Sequence, residues 1–452
     1  MNGPMNSLSS ELLIEIFSLV KSSFWGTADL LPCLEVCRRW YELAITVLYR
    51  HIVLGTGNIR RFAASFNLQY AGHVRSLTLR LIQPPLSTYD LGSIIAANAE
   101  LARRLRLLEP LLGSLDKLLS FSLYVPAIVP EKCRFKVSAR SIIGLLDSIP
   151  QSCANIEIDS GGYDRNIIAG GEEAHICESL RLLLPRMNHV RIHLSLMCPT
   201  LIGIMETPYQ SSKDSFTPIK LPHLRSLLIY CSEEDYSAGI CQPASTRENL
   251  PSITAYNPHP WPTMTAALQR FADTPDCCPT STMVRMHTAC SRELEDLGIY
   301  HTMVVCDINS HTTHAIPIVK VRSTRQGGWL VRFDDSKGII TTTRGLIDVA
   351  EGQLWKTLVG GARLPSTIAD SETQEILEVP IVAEDNWRAE NTDINCELWN
   401  NEALVGKKVL HAEIRKGGLL YTDPCPVMEE LPQGWHRPTG GRRRGLVRDE
   451  EV

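Results

Sequence analysis

The chain has no window of 18 uninterrupted apolar residues, so no membrane-spanning helix is expected. Its opening residues, MNGPMNSLSSELL, carry no basic n-region, and Glu11 and Glu15 interrupt the first apolar run, which argues against a secretory leader. There is no Asn-x-Ser/Thr acceptor site. An excess of positive charge is missing too. Lys and Arg number 45 against 50 Asp and Glu, a net charge of −5, which speaks against nucleic-acid or anionic-membrane binding. These absences predict a protein of the cytoplasm or nucleus, with its 14 cysteines reduced rather than paired in disulfides.

Enzyme signatures are also lacking. No Gly-x-Ser-x-Gly elbow, phosphate-binding glycine loop or His-Glu-x-x-His occurs. The richest Cys/His segment is Cys277, Cys278, His287, Cys290, His301, Cys306, His311 and His314. Its spacing fits no common zinc finger, and several members fall in strand-like apolar runs. Asp334–Asp335 reads as turn chemistry. The expectation is a non-enzyme with no cofactor and no metal.

What the chain does have is length and core material. At 452 residues and 44% hydrophobic it predicts two to four domains. Near the N-terminus, Leu8, Leu12, Leu13, Ile16, Phe17 and Val20 repeat at helical spacing. Asp29 reads as the N-cap of a second helix with Pro32 in its first turn, and Leu30, Cys33, Leu34, Cys37, Tyr41 and Ala44 form its apolar stripe. Leu31, Val36, Trp40 and Leu43 fill a neighbouring stripe. Cys33 and Cys37 are four apart with only His51 nearby, so they read as packing residues rather than metal or redox ligands. Fifty residues hold more large apolar side chains than three short helices can bury, so another surface must cover them.

The run LSSELLIEIFSLV…DLLPCLEVCRRWYELAITVLYRHIVL resembles an F-box, with Leu8, Glu11, Leu12, Leu13, Ile16, Phe17, Asp29, Leu30, Leu31, Val36, Cys37, Arg38, Trp40, Leu48, Tyr49 and Arg50 in the family's order. It departs from the pattern at Ser9, where the family usually has proline, and in a slightly long linker, VKSSFWGTA. The resemblance implies that residues 5–54 bind the Skp-family adaptor of a cullin-based ubiquitin ligase. Leu8, Leu12, Ile16, Phe17, Leu31, Val36, Cys37 and Trp40 would be the adaptor-binding residues, with Arg38 and Arg39 adding rim charge.

Beyond residue 70 an apolar-x-x-apolar-x-apolar core recurs, as Val74/Leu77/Leu79, Leu118/Phe121/Leu123, Cys153/Ile156/Ile158, Met187/Val190/Ile192, Leu224/Leu227/Ile229 and Leu294/Leu297/Ile299. The middle residues lie 44, 35, 34, 37 and 70 apart, the last being twice 35. Helical stretches, AANAELARRLRLLEPLLGSL, SARSIIGLLDSI and AHICESLRLLLP, fall between them. A strand and a helix at fixed period point to a solenoid resembling divergent leucine-rich repeats over 70–305. Its exposed concave sheet would include Thr78, Ser122 and Leu228, with Arg80, Tyr124, Arg191, His193, Tyr230 and Tyr300 as candidates for binding a protein substrate.

Cys231–Pro262 reads as a long loop. AIPIVKVRS, GGWLVRFDD, GIITTT, VLHAEIR and GGLLYTD read as strands of a β-rich region over 308–425, and 426–452, with its Arg442–Arg444 cluster, as a disordered tail. The whole is expected to be an α/β protein: a three-helix F-box, an irregular leucine-rich-repeat-like solenoid and a small β-rich C-terminal region. It resembles a fungal-type F-box protein acting in an SCF-type ligase, its partners the adaptor, a cullin and an unknown target, with no nucleic acid or membrane.

Overall fold

The computed structural model describes residues 8–22, 30–82, 91–125, 137–161, 164, 175–195, 197–205, 216–231, 260–290, 300–321, 328–332, 338–372, 374–392, 398–399, 402–403, 406, 413–416, 435–436 and 447–448. Asp29, the Leu294/Leu297/Ile299 core, Asp334–Asp335, GGLLYTD and Arg442–Arg444 lie outside the described residues.

Helix α1 spans Ser10–Ser22. Ser9, in the family's proline position, serves as its N-cap: its hydroxyl accepts from the Leu12 N–H at 3.3 Å and its carbonyl from the Leu13 N–H at 3.1 Å. The second helix departs from expectation. Leu31–Glu35 is a 3-10 turn with Pro32 at its start, Cys37 is extended at φ −165°, and α2 runs from Arg38 to Arg50. The break has a packing cause. Leu30 and Ala44 would lie about 21 Å apart on one straight helix, yet both are buried in the same small core with Leu13, Phe17 and Val47.

Helix α2 passes directly into strand β1, His51–Gly55. Next come α3 (Ile59–Ser65), β2 (Ser76–Arg80), α4 (Leu91–Arg106), α5 (Glu109–Gly113), β3 (Ser120–Tyr124), α6 (Ala139–Asp147), β4 (Asn155–Asp159), α7 (Ile176–Leu183) and β5 (His189–Leu194). A two-stranded ribbon, β6 (Gly203–Met205) and β7 (Phe216–Pro218), precedes β8 (Ser226–Cys231), α8 (Pro260–Asp273) and β9 (Met283–Cys290). Strands β1, β2, β3, β4, β5, β8 and β9 pair in parallel in that order. The register aligns Ile52, Leu77, Phe121, Ile156, Val190, Leu227 and Val284 in one row, and Leu54, Leu79, Leu123, Ile158, Ile192, Ile229 and Met286 in another.

Strand alternation turns both rows to the same side, where the helices cover them. Leu105, Ile142, Leu145, Leu180, Leu268 and Phe271 share one continuous core with them. Every residue of the five described apolar cores, from Val74 to Ile229, is fully buried. Two strands of the parallel run were not anticipated. β1 belongs to the sheet as well as to the end of the F-box segment, and β9 takes the next sheet position after β8. The helix expected over 96–115 is split between α4 and α5.

The sheet then continues antiparallel through β10 (Tyr300–Asp307), β11 (Thr312–Val321), β12 (Gly328–Val331), β13 (Ile339–Thr341) and β16 (Ile381–Ala383), with β17 (Glu413–Lys416) on β11. It runs without a break across the boundary expected near residue 305. Helix α9, Thr343–Glu351, packs Leu346, Ile347 and Ala350 against Met303, Val305, Ile316 and Val331. A hairpin, β14 (Trp355–Thr357) with β15 (Arg363–Pro365), and the short helix α10 (Ser366–Ala369) pack Leu358, Leu364 and Ala369 against Val53 of β1. The C-terminal region thus lies over the sheet face that α4 to α8 leave uncovered. Among the described residues no helix is long and apolar enough to cross a membrane.

Candidate functional site

Two surfaces follow from this architecture. The first is the N-terminal helical unit. Leu13, Phe17, Leu30, Ala44 and Val47 form its interior, and Phe17 meets Trp40 edge-on with ring centroids 5.2 Å apart. Phe17 is 1% exposed, so it holds the unit together from inside rather than offering itself for docking. Leu12, Leu31 and Val36 are the open ones, at 48%, 50% and 55% exposure. Leu19, seven residues after Leu12 on the same helix face, is also open at 53%. Leu8, Ile16, Cys37 and Trp40 are half-buried beside them.

The two arginines differ in role. Arg38 pairs with Glu42 on the surface at 3.0 Å. Arg39 instead donates to the Leu8 carbonyl at 2.6 Å and the Ser10 hydroxyl at 3.3 Å, tying the start of α1 to α2. Cys33 packs against the small core, and burial pushes its thiol pKa up, the opposite of what a reactive thiolate needs.

At its other end the unit is locked. The buried Lys21 ammonium donates to the carbonyls of Val47 at 2.8 Å, Leu48 at 3.2 Å and His51 at 3.4 Å, the negative end of α2. Burial, with Arg50 adding to it and Glu372 opposing, brings its pKa down to about 8. Glu372, from the C-terminal region, reaches Arg50 at 3.1 Å and His51 at 3.2 Å. Burial works against its carboxylate, but His51 and Arg50 hold its pKa below the ordinary value. With no linker between α2 and β1 and this clamp closed, the exposed leucines have one orientation relative to the sheet.

The second surface is the sheet face turned away from helices α4 to α8. Its rows are Val53, Thr78, Ser122, Glu157, Arg191, Leu228 and Arg285, and Gly55, Arg80, Tyr124, Asp159, His193, Tyr230 and His287. It is not open. Arg191 donates to Glu351 of α9 at 2.8 and 2.9 Å, to Asp159 at 2.6 Å and to Glu157 at 3.2 Å. Arg363 of the hairpin holds Glu157 from the other side at 2.5 and 3.0 Å, and its N–H donates to the Thr78 hydroxyl at 3.0 Å. His193 lies 2.7 Å from Asp159, and Arg344 of α9 approaches the same carboxylate at 3.8 Å.

Burial opposes ionisation of Asp159, yet Arg191, His193 and Arg344 hold its carboxyl well below the usual range. Glu157 and Glu351 are lowered as well, by Arg363 and Arg191 and by Arg191 respectively, against their burial. His287 goes the other way: burial brings it down to about 4 despite Glu351 beside it. Each of these carboxylates already has a guanidinium partner, so the arrangement joins two parts of the chain rather than poising an acid or base.

The exposure expected of the substrate candidates is therefore corrected. Arg191, His193 and Tyr230 are buried beneath the C-terminal region, at 1%, 6% and 8% exposure. Arg80 and Tyr124 are half-buried, with the Arg363 guanidinium 5.7 Å from the Tyr124 ring centroid. Tyr300 begins β10, and its side chain is outside the described residues. Thr78, Ser122 and Leu228 are buried too. The Cys/His-rich segment does not converge among the described residues: Cys277 and Cys306 lie in the core, His287 on the covered face and His311 in an exposed turn.

Glu157, Asp159, Glu351 and Arg363 were not anticipated as partners of this face. A signal for two of them is visible: NIEID and HVRIHL sit one period apart, so Glu157 and Asp159 fall 34 residues before Arg191 and His193. Opposite charges at matching repeat positions mark neighbours on adjacent parallel strands. No curated protein matches the chain. The F-box-like family model matches residues 6–55, the segment that carries the exposed Leu12, Leu31 and Val36. The chain carries an F-box-like domain at residues 6–55, which supports a role in F-box-mediated protein interaction.

Proposed function

We propose that this chain is the substrate-recognition subunit of a cullin-based, SCF-type E3 ubiquitin ligase. The observation that carries the reading is the open apolar patch of Leu12, Leu31 and Val36 within the F-box-like segment. F-box domains generally bind Skp-type adaptors. Burying a large aliphatic side chain contributes roughly 1.5–3 kcal/mol, and a handful of such anchors offsets an association cost of about 4–15 kcal/mol. The chain would do no covalent chemistry itself. It would raise the effective concentration of a target lysine near the charged carrier enzyme. Its parallel strand and helix array, read as leucine-rich-repeat-like, would present the target. A target using Arg191, His193 or Tyr230 would first have to displace α9 and the β14–β15 hairpin.

The cover over that face favours a second reading, a scaffold that recruits the adaptor outside a ligase. Co-purification with the adaptor and cullin tests both. A Leu12→Asp/Leu31→Asp variant, both sites being exposed, should keep its circular dichroism and melting temperature while losing the adaptor. A folded wild-type chain that fails to bind the adaptor would sink both readings. Recovery of adaptor without cullin would leave the scaffold.

A further inference from the structure

In the middle of the parallel sheet, α7 and the turn after β5 bring three side chains that can ligate a metal to one place. His175 is the N-cap of α7, Cys177 lies in its first turn, and Cys198 is the N-cap of the short 3-10 turn Pro199–Leu201 that packs on α7. One ligand atom from each of the three lies within 4.8 Å of the other two, and His175 Nε2 is 3.1 Å from Cys198 Sγ. Cys177 is 0% and Cys198 4% exposed. A tetrahedral zinc ion with bonds of about 2.3 Å to sulfur and 2.0 Å to nitrogen separates its donors by roughly 3.5 Å, so small side-chain shifts would close this set around one ion.

The imidazole is also placed as a zinc ligand's is. Its Nε2 faces the sulfur, while Nδ1 faces the Glu178 carboxylate at 3.8 Å. A ligating histidine characteristically turns its other nitrogen to a carboxylate, which fixes tautomer and ring orientation.

We propose that His175 Nε2, Cys177 Sγ and Cys198 Sγ hold a zinc ion, with water in the fourth position, stapling α7 to the segment that follows β5. Two soft thiolates and an imidazole select zinc over magnesium or calcium. Binding releases the two thiol protons to solvent, and no electron is transferred. This departs from the metal-free expectation drawn from sequence spacing, and it is independent of the adaptor reading.

The test uses the reduced, chelator-stripped full chain with cobalt(II) as the spectroscopic probe and zinc as competitor. One equivalent of cobalt should give a thiolate-to-cobalt charge-transfer band that zinc abolishes. Cys177→Ser and Cys198→Ser should each lose about half of its intensity, and Glu178→Gln should weaken zinc binding by about 10–100-fold, as loss of an orienting partner does. Alkylation mapping of the wild type in mild urea, where local opening reaches buried thiols, removes any dependence on variant folding: zinc should slow modification of Cys177 and Cys198, and chelation should restore it. Absence of the band, its survival at full intensity in both folded serine variants, or equal alkylation with and without zinc would overturn the site. Recovery of a Cys177–Cys198 disulfide from freshly isolated chain would overturn it as well.

Discussion

Glu157 shows how a single side chain can decide between two parts of a fold. It is fully buried and held by Arg191 from its own sheet and Arg363 from the C-terminal hairpin. Removing its charge leaves two guanidinium groups competing for fewer acceptors. Breaking a buried pair in this way costs about 3–5 kcal/mol, and Glu157→Gln should lower the urea midpoint accordingly; a change within 0.5 kcal/mol, about the size of surface effects, would show that the contact carries no stability. The histidines add a pH dependence. Burial brings His287 and His189 to about 4, with Arg225 assisting at His189. Their unfolded values lie near 6.5, so between those limits the unfolded chain binds more protons. Their contribution is full above about pH 6.5 and is lost as pH falls towards 4. The depressed carboxyls of Glu157, Asp159 and Glu351 extend the loss below that window. Melting temperature should fall below pH 6.5, and a His189→Asn/His287→Asn variant should show a shallower slope there. A wild-type profile flat to pH 5 would contradict the assignment.

At the scale of elements, the N-terminal unit depends on how helix ends are closed. Lys21 brings a cation to the last carbonyls of α2, and Ser9 supplies the hydroxyl that starts α1. Lys21→Met keeps the stem but leaves those carbonyls without their donor, at a cost of about 1–3 kcal/mol. Thermal unfolding should register that loss, and adaptor binding should weaken as the exposed leucines lose their common frame. The positions of α1 and of the five described apolar strand cores were legible because apolar spacing follows backbone period. The 3-10 turn before α2 was not, because the demand that Leu30 and Ala44 share one core exists only after folding.

In the whole molecule, the C-terminal region completes the array. The sheet runs from β1 to β16, and α9 and the β14–β15 hairpin cover its polar face with ion pairs while apolar helices cover the other. Arg191 and Glu351, 160 residues apart in sequence, meet at 2.8 Å across this join. A double-mutant cycle with Arg191→Met and Glu351→Gln should show a coupling of about 0.5–3 kcal/mol. Additive effects would mean that α9 rests on the sheet without depending on it. Glu372 extends the same cover to Arg50 and His51, so the F-box-like end and the C-terminal end are held to each other.

The sequence by itself determined the local periods: the amphipathic face of α1, the strand cores from Val74 to Ile229, and the order of residues that carries the F-box resemblance. Each depends on spacing along a few turns of backbone. Tertiary structure decided which face remains open. Arg191 and His193 read as surface residues because strand alternation shows which side a residue takes, not what lies over it. Their cover comes from Arg344, Glu351 and Arg363, more than 150 residues later. Likewise Cys177 and Cys198 look unrelated at 21 residues apart until α7 and the turn after β5 bring them beside His175. The charge pairs that join the sheet to the C-terminal region, and the meeting of these thiols with an imidazole, have no period, so only the folded chain displays them.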